Sequence, residues 1–352
     1  MIKNIKIQNF RIFDDLIVDT SASLIIISGK NATGKTSLLE AIYIASTSKS
    51  HRTNMLNTAI KNNCDFAVVE IDFIKKLKVV IYKEGKSCFI NNSEVNKISD
   101  YIGNLHVVMS SPFDLSLIQG SKAVRRHFLD LELSLLDKEY LRQSSIYKRL
   151  LKERNEILKA SSIDFKYLDV ITKQMVQCLL YIYKARVKFL NDLNEILVDI
   201  TSSMKIENIR LDYIKTYEDD IYSSFENKKK VDLANKVTTI GTHRDDFDIY
   251  INDLKANVYA SEGQCRMICI VIKLALKEYI KNISKVEPIL LLDDVFAALD
   301  QKRIVELTKY VLKSQQAFIT TTSILEIPDE LLKQALIIRM DNKKENRDGK
   351  QQ

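Results

Sequence analysis

The residues best suited to chemistry lie near the N-terminus, where positions 29–37 read GKNATGKTS directly after an apolar run. The spacing Gly-x-x-x-x-Gly-Lys-Thr is that of a phosphate-binding loop, in which backbone N–H groups surround an anion at the start of a helix. Lys35 is expected to neutralise the β- and γ-phosphates, and the Thr36 hydroxyl is expected to hold Mg²⁺. The sequence therefore predicts a nucleoside triphosphate site with Mg²⁺, whose binding residues are Gly29, Lys30, Asn31, Ala32, Thr33, Gly34, Lys35, Thr36 and Ser37.

A pair of carboxylates far along the chain is expected to complete this site. The apolar run 288–292 ends in Asp293 and Asp294. In a protein with a phosphate-binding loop, an apolar strand that ends in acids indicates a Walker B site. Asp293 is expected to bind Mg²⁺ or orient its water, and Asp294 to act as the general base toward the attacking water. The alternative interpretation is a polar turn that merely ends a strand.

A third motif, YASEGQCR at 259–266, stands at the start of a predicted helix. Ser261, Gly263 and Gln264 offer a hydroxyl, bare backbone and an amide around a second helix N-terminus. Two phosphate-binding surfaces in one chain indicate a head-to-tail dimer, in which the loop of one subunit holds ATP and this motif of the other closes over the γ-phosphate. Asp300 is expected to reach across the same boundary. The alternative is a simple N-cap at Ser261, worth ~1 kcal/mol.

Hydrophobic periodicity predicts the elements that position these motifs. Alternating or continuous apolar residues predict strands, and the longer 3.6-residue pattern predicts helices. Strands are predicted at 2–7, 24–28, 66–73, 77–82, 87–90, 105–109, 209–213, 247–251 and 289–292, and helices at 37–45 and 263–280.

The middle of the chain has a different character. From about 121 to 204 there is almost no Gly or Pro, and charged residues alternate with Leu and Ile at helical spacing. The stretch 165–200 would run roughly 50 Å as one helix. Two or three long helices packed as an arm fit this region, and so does an ordinary helical insert. The predicted division is an N-terminal part of an ATPase head at 1–120, a helical arm at 121–206, a C-terminal part of the head at 207–340, and a charged tail at 341–352.

Composition excludes few partners. The formal net charge is +7, with 53 basic and 46 acidic residues, which permits an anionic partner without requiring one. The start has no apolar signal core, and no apolar run reaches the ~18 residues of a membrane span. Five cysteines without framework spacing indicate free thiols in a reducing compartment. A cytoplasmic protein without a membrane partner is therefore expected.

Taken together, these motifs resemble the ABC-type ATPase heads of the SMC class, and within that class the bacterial RecF DNA repair family. The resemblance implies an α/β fold with a mixed sheet, a P-loop and an inserted long-helical arm. The segments that carry it are IKIQNFRIF, the loop with its trailing LLEAIYIAS, SKSHRT, SSPFDLSLIQGSKAVRRHFLD, LLKERNEILK, GTHRDDF, ASEGQ, LLLDDVFAALD and FITTT.

The resemblance implies a specific function. RecF-like proteins bind duplex DNA when they are ATP-bound and dimeric, favour single-strand gaps, and work with RecO and RecR proteins. They promote recombinase loading in recombinational repair, replication restart and the SOS response to DNA damage, and their weak ATPase acts as a release timer. Basic residues that are candidates for DNA contact, with solvated surface as the alternative for each, are Lys49, His51, Arg52, Arg125, Arg126, Lys148, Arg149, Lys152, Arg154 and the run 228–230. His243 and Arg244 are expected to serve an interface or the nucleotide.

Three residues depart from the family pattern. Ala32 and Cys265 stand where Gly and Gln are usual, and Phe113 stands where the family has Glu. Because the lysine, the Mg²⁺ ligands and the signature serine remain, binding is expected to be intact and hydrolysis slow.

Three other classes of protein compete with this interpretation. A transporter's nucleotide-binding subunit is disfavoured by the long helical insert and by Thr320 to Ser323, where a His would follow the last strand. A nuclease-coupled or anti-phage ATPase would usually append a further domain. A structural protein with a dead site would lack Lys35 or Asp294.

Overall fold

The secondary structure follows the predicted periodicity closely. The computed structural model describes residues 1–340, and the predicted charged tail at 341–352 lies outside the described residues. The strands are β1 (Asn4–Phe10), β2 (Phe13–Asp19), β3 (Leu24–Ser28), β4 (Phe66–Asp72), β5 (Lys76–Tyr82), β6 (Gly85–Ile90), β7 (Ser93–Glu94), β8 (Val107–Ser110), β9 (Ile209–Ile214), β10 (Asp246–Ile251), β11 (Leu254–Lys255), β12 (Ile289–Asp293), β13 (Ala317–Thr321) and β14 (Leu336–Arg339). The helices are α1 (Lys35–Thr47), α2 (Ile98–Tyr101), α3 (Leu115–Gln119), α4 (Lys122–Leu136), α5 (Lys138–Lys159), α6 (Phe165–Met204), α7 (Ile221–Asn235), α8 (Ala256–Tyr259), α9 (Glu262–Ser284), α10 (Gln301–Leu312) and α11 (Asp329–Leu332).

The described chain forms two compact units. The first unit joins Met1–Asp114 to the residues from Glu262 onward, and the second unit is Leu115–Ser261. The helical segment expected at 121–206 lies in the second unit, together with 207–261, which the sequence assigned to the head. These residues belong with the helices because β9 packs along α6 and β10 packs against α4.

A parallel sheet positions the chemistry of the first unit. Its strand order is β14-β3-β13-β12-β8, and every neighbouring pair is parallel. The central strands β3 and β12 are buried along their whole length, which explains their continuous apolar runs. Because parallel strands deliver their carboxyl ends to one edge, the loop after β3 and the acids ending β12 emerge on either side of β13.

An antiparallel sheet completes the first unit. Its order is β2-β1-β4-β5-β6-β7, and α1 contacts β4 and β5 of this sheet as well as β13, β12 and β8 of the parallel one. Helix α1 is consequently buried on nearly every side, which explains its apolar sequence. The α/β class is confirmed, with the head strands divided between two sheets.

The second unit is built on long helices. Helices α4, α5 and α6 pack together, and a three-stranded sheet of order β11-β10-β9 lies against them. The single helix predicted across 165–200 is confirmed, because α6 runs for 40 residues. Asp137 and Asp164 cap α5 and α6 by accepting bonds from backbone N–H groups. None of the helices within residues 1–340 combines the length and apolar character that a membrane span requires.

Candidate nucleotide-binding site

The phosphate-binding loop and the acidic pair meet at one cavity. It has a volume of about 450 Å³ and lies at the carboxyl edge of the parallel sheet. Its lining comprises Arg11, Ile12, Asn31, Ala32, Gly34, Lys35, Thr36, Ser37, Arg52, Thr58, Ile60, Asn62, Asp293, Asp294, Thr320 and Thr322. The parallel sheet therefore brings together two motifs that stand at opposite ends of the chain.

Close backbone packing shapes the loop. Gly34 starts α1 with a φ of 102°, and a Cβ there would stand 2.4 Å from Cζ of Phe13. A Cβ at Gly29 would stand 2.5 Å from the carbonyl oxygen of Met340. Both positions therefore require glycine. Ala32 has a φ of 65°, a left-handed conformation that the glycine usual in the family adopts without strain.

Lys35 is held inside the loop that it is expected to serve. Its Nζ donates to the carbonyl oxygens of Gly29 (2.6 Å) and Lys30 (2.9 Å). Burial lowers its pKa, and the charges of Asp294 and Asp293 partly offset that shift. The first turn of α1 carries no acidic residue. The positive end of the helix and the lysine thus both face an anion-sized space.

Asp293 lies at the centre of a hydrogen-bonded set. The Thr36 hydroxyl donates to its carboxylate, with Oγ1 at 2.9 and 3.0 Å from the two oxygens, and Thr320 Oγ1 donates to Oδ1 at 2.7 Å. Burial raises its pKa, the threonine bonds oppose this, and the nearby charge of Asp294 adds to it. A divalent cation would relieve this crowding of negative charge. Thr36 and Asp293 supply the hard oxygen donors that Mg²⁺ prefers, so the residues fit the ion.

Asp294 is the strained member of the pair. Its φ of 54° is left-handed, and its backbone N–H donates to Thr320 Oγ1 at 3.0 Å. Its side-chain oxygen Oδ1 is buried and has no hydrogen-bond partner. A buried acceptor without a donor is unfavourable and calls for an explanation. A water molecule held for proton abstraction would supply the missing donor, as the role of general base requires.

A buried carboxylate on α1 holds two arginines at the cavity. Glu40 is fully buried and accepts from Arg11 at 2.9 and 2.6 Å and from the Ser50 hydroxyl at 2.5 Å. Arg52 lies 3.5 Å from the same carboxylate. Burial alone would raise the pKa of Glu40, but the bonds from Arg11 and Ser50 and the nearby positive charges lower it overall. Arg11 and Glu40 were not predicted as site residues, although an acid inside the apolar segment LLEAIYIA indicates a buried partner.

His51 lies beside this cluster without polar contacts. Its ring meets Tyr43 edge-on at 5.5 Å and Phe113 at 6.0 Å, and both ring nitrogens are buried and unbonded. Burial is the main cause that lowers its pKa to about 4. Its prediction as a basic DNA contact is therefore wrong. Phe113 also stacks near the Arg52 guanidinium at 5.9 Å, so this departure from the family pattern supports an arginine of the cavity.

The signature residues and Asp300 lie outside the cavity lining. Ser261 is an exposed residue at the end of the second unit, and Gly263 and Gln264 are in the first turn of α9. A Cβ at Gly263 would meet no atom within 4 Å, so the space beside this turn is open. Asp300 caps α10 by accepting from the Arg303 N–H at 3.0 Å. That these four residues contact a nucleotide held by a second subunit stays a prediction.

Several basic residues predicted to contact DNA form ion pairs with carboxylates of the second unit. Arg154 is 1% exposed, and Asp232 holds its guanidinium at 2.8 Å, so its prediction as a DNA contact is wrong. Arg125 bonds both oxygens of Asp246, and Lys148 pairs with Asp130.

His243 is likewise held inside the second unit. Its Nδ1 is 2.8 Å from the Tyr147 hydroxyl, and its Nε2 is 3.1 Å from the carbonyl oxygen of Thr238. Both ring nitrogens are thereby occupied by groups of the same unit.

Comparison with known proteins gives a consistent result. The family model described as the RecF/RecN/SMC N terminal domain matches residues 1–344. A protein of Acholeplasma laidlawii named DNA replication and repair protein RecF is 40% identical over 325 residues, which cover 91% of this chain and 93% of that protein. A protein of Clostridium perfringens with the same name is 37% identical over 360 residues, covering 97% and 98%.

Solved structures agree with these relatives. The recombination mediator protein RecF with ATP, from the RecFOR pathway, superposes with a TM-score of 0.86 at 27% identity and covers 93% of each chain. An Smc head bound to the C-winged helix domain of ScpA matches with a TM-score of 0.55 at 14% identity, covering 96% of this chain and 93% of that one. The predicted ABC-type head fold is confirmed.

Proposed function

This chain belongs to the RecF/RecN/SMC N-terminal domain family, and we propose that it is an ATP-dependent DNA-binding protein of replication and repair. The observation that carries the proposal is the arrangement of Lys35, Thr36, Asp293 and Asp294 around one cavity. Relatives named for DNA replication and repair match it over more than nine-tenths of their length, which supports the same function. The solved relative that binds ATP supports ATP as the ligand.

The cavity binds the triphosphate of ATP in this proposal. When ATP binds, Lys35 Nζ donates to the β- and γ-phosphates in place of the carbonyl oxygens of Gly29 and Lys30. The backbone N–H groups of the loop surround the anion. Thr36 and Asp293 hold Mg²⁺, which neutralises phosphate charge when it is bound. Asp294 accepts a proton from the attacking water through the buried oxygen that lacks a partner.

ATP also joins two copies of the chain. Ser261, Gly263 and Gln264 of one copy close over the γ-phosphate held by the other, and Asp300 lies at the same boundary. The open space beside the first turn of α9 supports this placement, since a phosphate can approach the bare backbone there. Hydrolysis is slow and ends the dimeric state, so it works as a timer for release.

The ATP-bound dimer binds duplex DNA at single-strand gaps and promotes recombinase loading in recombinational repair and replication restart. Its partners are mediator proteins of the RecO and RecR type, as the pathway named for the solved relative suggests. The net charge of +7 favours contact with DNA phosphates. We place this work in the cytoplasm, where a bacterial chromosome is found.

The test is binding of the purified chain to gapped duplex DNA with ATP, with ADP and without nucleotide, while the mass of the complex is tracked. We expect DNA binding by a dimer with ATP only. Dimerisation by ATP without DNA binding would contradict the DNA function and leave an ATPase with a protein partner. DNA binding that is equal in all three states would contradict the nucleotide switch.

A matched pair of variants isolates the dimer. Ser261→Arg is expected to leave ATP binding intact and to abolish ATP-dependent dimerisation, because the added side chain fills the space of the γ-phosphate. Ser145→Arg places the same side chain on the exposed face of α5 and is expected to dimerise as the wild type does. A Ser261→Arg protein that dimerised normally would contradict the head-to-tail arrangement.

A further inference from the structure

The turn that enters β10 gathers an unusual number of charged side chains in the second unit. Asp245 is fully buried, and its carboxylate accepts from the hydroxyls of Tyr213 (2.6 Å), Tyr217 (2.9 Å) and Thr216 (2.8 Å). The Thr216 backbone N–H donates to it as well, at 3.0 Å. Because these four donors occupy its oxygens from within, Asp245 has little capacity left for a cation at the surface.

Two of the neighbouring arginines are neutralised by carboxylates. Arg125 makes a bidentate pair with Asp246 at 2.7 and 2.9 Å. Arg186 is almost fully buried and pairs with Asp130 at 2.8 Å. Bidentate and buried pairs of this kind are strong and leave no charge for a ligand.

Arg126 and Arg244 differ from these two. Arg126 Nη1 donates to the backbone carbonyl oxygen of Asp245 at 2.9 Å. The Arg244 guanidinium reaches only the carbonyl oxygen of Thr238, at a long 3.4 Å. Within residues 1–340, neither arginine forms an ion pair with a carboxylate. Arg126 is thus bonded to the backbone of the residue that follows Arg244 in the chain, and both arginines lie at this turn without a carboxylate partner among the described residues.

The electrostatics of the turn agree with this geometry. Burial lowers the pKa of Arg126, and the charges of Arg186 and Arg244 lower it further, although Asp246 and Asp245 act in the opposite direction. The pKa of His243 is lowered to about 4, first by burial, and Arg244 and Arg126 add to the effect. His243 is therefore uncharged at neutral pH. The two arginines are left as neighbouring cations that repel each other, and an anion between them would remove that repulsion.

We propose that Arg126 and Arg244 form a phosphate-binding site of the second unit that takes the backbone of duplex DNA. This inference rests on the proposed function and assigns a contact that it leaves open. A guanidinium presents its N–H groups as a planar fork that matches phosphate oxygens, and each of these two has most of its donors unused. Such contacts position DNA without reading its sequence. A gap-binding protein needs contacts of this kind.

The experiment measures affinity for gapped duplex DNA, with ATP present, as a function of salt concentration. The variant is Arg126→Gln with Arg244→Gln. The slope of log K against log salt is negative, and each lost phosphate contact reduces its magnitude by about 0.9. We expect the magnitude of the slope to decrease by about 1.8 and the affinity near 0.1 M salt to fall on the order of tenfold for each arginine.

The control removes the same charge elsewhere in the second unit. Arg142 and Lys159 are both exposed on α5, where each pairs with a glutamate three residues earlier. We expect Arg142→Gln with Lys159→Gln to keep the wild-type slope. Arg244→Gln alone provides a second test because its side chain is exposed, and we expect a slope change of about 0.9 without loss of the fold.

The outcomes separate this site from the proposed function. A wild-type slope in the double variant, or an equal fall in the control, would overturn the site while DNA binding stands. DNA binding at the wild-type level combined with lost dimerisation would show that the arginines meet an acidic protein surface, and would also overturn it. A wild-type protein that binds ATP and no DNA would overturn the proposed function and this site together.

Discussion

His243 of the second unit and His51 of the first unit are both largely shielded from solvent, and they have opposite surroundings. His243 in the second unit is bonded at both ring nitrogens, to Tyr147 and to Thr238. His51 in the first unit is bonded at neither. Burial holds both pKa values at about 4. The same residue type with the same protonation state is therefore satisfied in one unit and unsatisfied in the other.

The contrast extends beyond the histidines. Within residues 1–340, the buried side-chain N and O atoms that lack a hydrogen bond are the two ring nitrogens of His51 and Oδ1 of Asp294. All three belong to the first unit, at the nucleotide cavity or beside an arginine that lines it. None of them belongs to the second unit. We infer that the first unit is built to be completed by a ligand.

The largest effect is expected at Asp294. Asp294→Asn keeps the shape of the side chain and removes its basicity, so ATP turnover should fall about 10²- to 10⁴-fold. ATP binding should stay intact, and the dimer should stay trapped on DNA. Steady-state ATPase assays together with nucleotide binding measure both properties. Unchanged turnover would exclude Asp294 as the base.

Replacing a buried aspartate by asparagine should lower stability in the second unit but not at the nucleotide cavity. Asp232→Asn leaves the buried Arg154 guanidinium without its counterion and should lower the free energy of unfolding by about 3–5 kcal/mol. Asp293→Asn removes a carboxylate whose pKa burial raises, so the nucleotide-free protein should keep its stability while Mg²⁺-dependent ATP binding is lost. Calorimetric unfolding of both variants compares their stability. Equal destabilisation by the two changes would contradict the contrast between the units.

Acid pH should destabilise the first unit through His51 and the second unit through His243. The pKa of each is about 4 in the folded protein and ~6.5 when unfolded, so the unfolded chain binds more protons between these values. Stability is full above about pH 6.5 and should fall as the pH drops toward 4, by up to about 3 kcal/mol for each histidine. Thermal unfolding across this range measures the loss. A pH profile that His51→Phe leaves unchanged would contradict the assignment.

At neutral pH, replacement by phenylalanine should lower the free energy of unfolding more at His243 than at His51. His243→Phe removes the bonds to the Tyr147 hydroxyl and to the Thr238 carbonyl, which keeps only the long contacts from Arg244, and should cost about 1–3 kcal/mol. His51→Phe breaks no hydrogen bond and keeps the edge-on contacts to Tyr43 and Phe113, so its effect should be below about 1 kcal/mol. Denaturant unfolding of both variants provides the comparison. A larger loss at His51 would contradict the account.

The sequence was sufficient for the parts of the site that depend on local pattern. The loop 29–37, the apolar strand before Asp293 and the long helix α6 were all predicted, because glycine spacing and hydrophobic period act over short distances. It was insufficient where a partner comes from far along the chain. Arg126 and Arg154 both stand in helical, charged segments of the sequence. In the structure Arg154 pairs with the buried Asp232, whereas Arg126 bonds, among the described residues, only to the backbone carbonyl of Asp245.

Long-range contacts also explain Arg11 and the domain boundary, neither of which the sequence predicted. Arg11 lies in the turn between β1 and β2, and its bonds to Glu40 of α1 hold it at the cavity. Residues 207–261 read as head strands because their period is that of a strand. Their place in the second unit depends on packing against α6, which no local pattern reveals.

Hydrogen exchange of the full chain with and without ATP and Mg²⁺ tests the central claim most directly. The account predicts new protection at 29–37 and at 289–294 and unchanged exchange across 232–246, where the buried groups are already bonded. Lys35→Ala should abolish the new protection, because the loop then lacks its phosphate-binding cation. Protection that is absent from 29–37, or equal in the wild type and the Lys35→Ala protein, would contradict the claim that ATP completes the first unit.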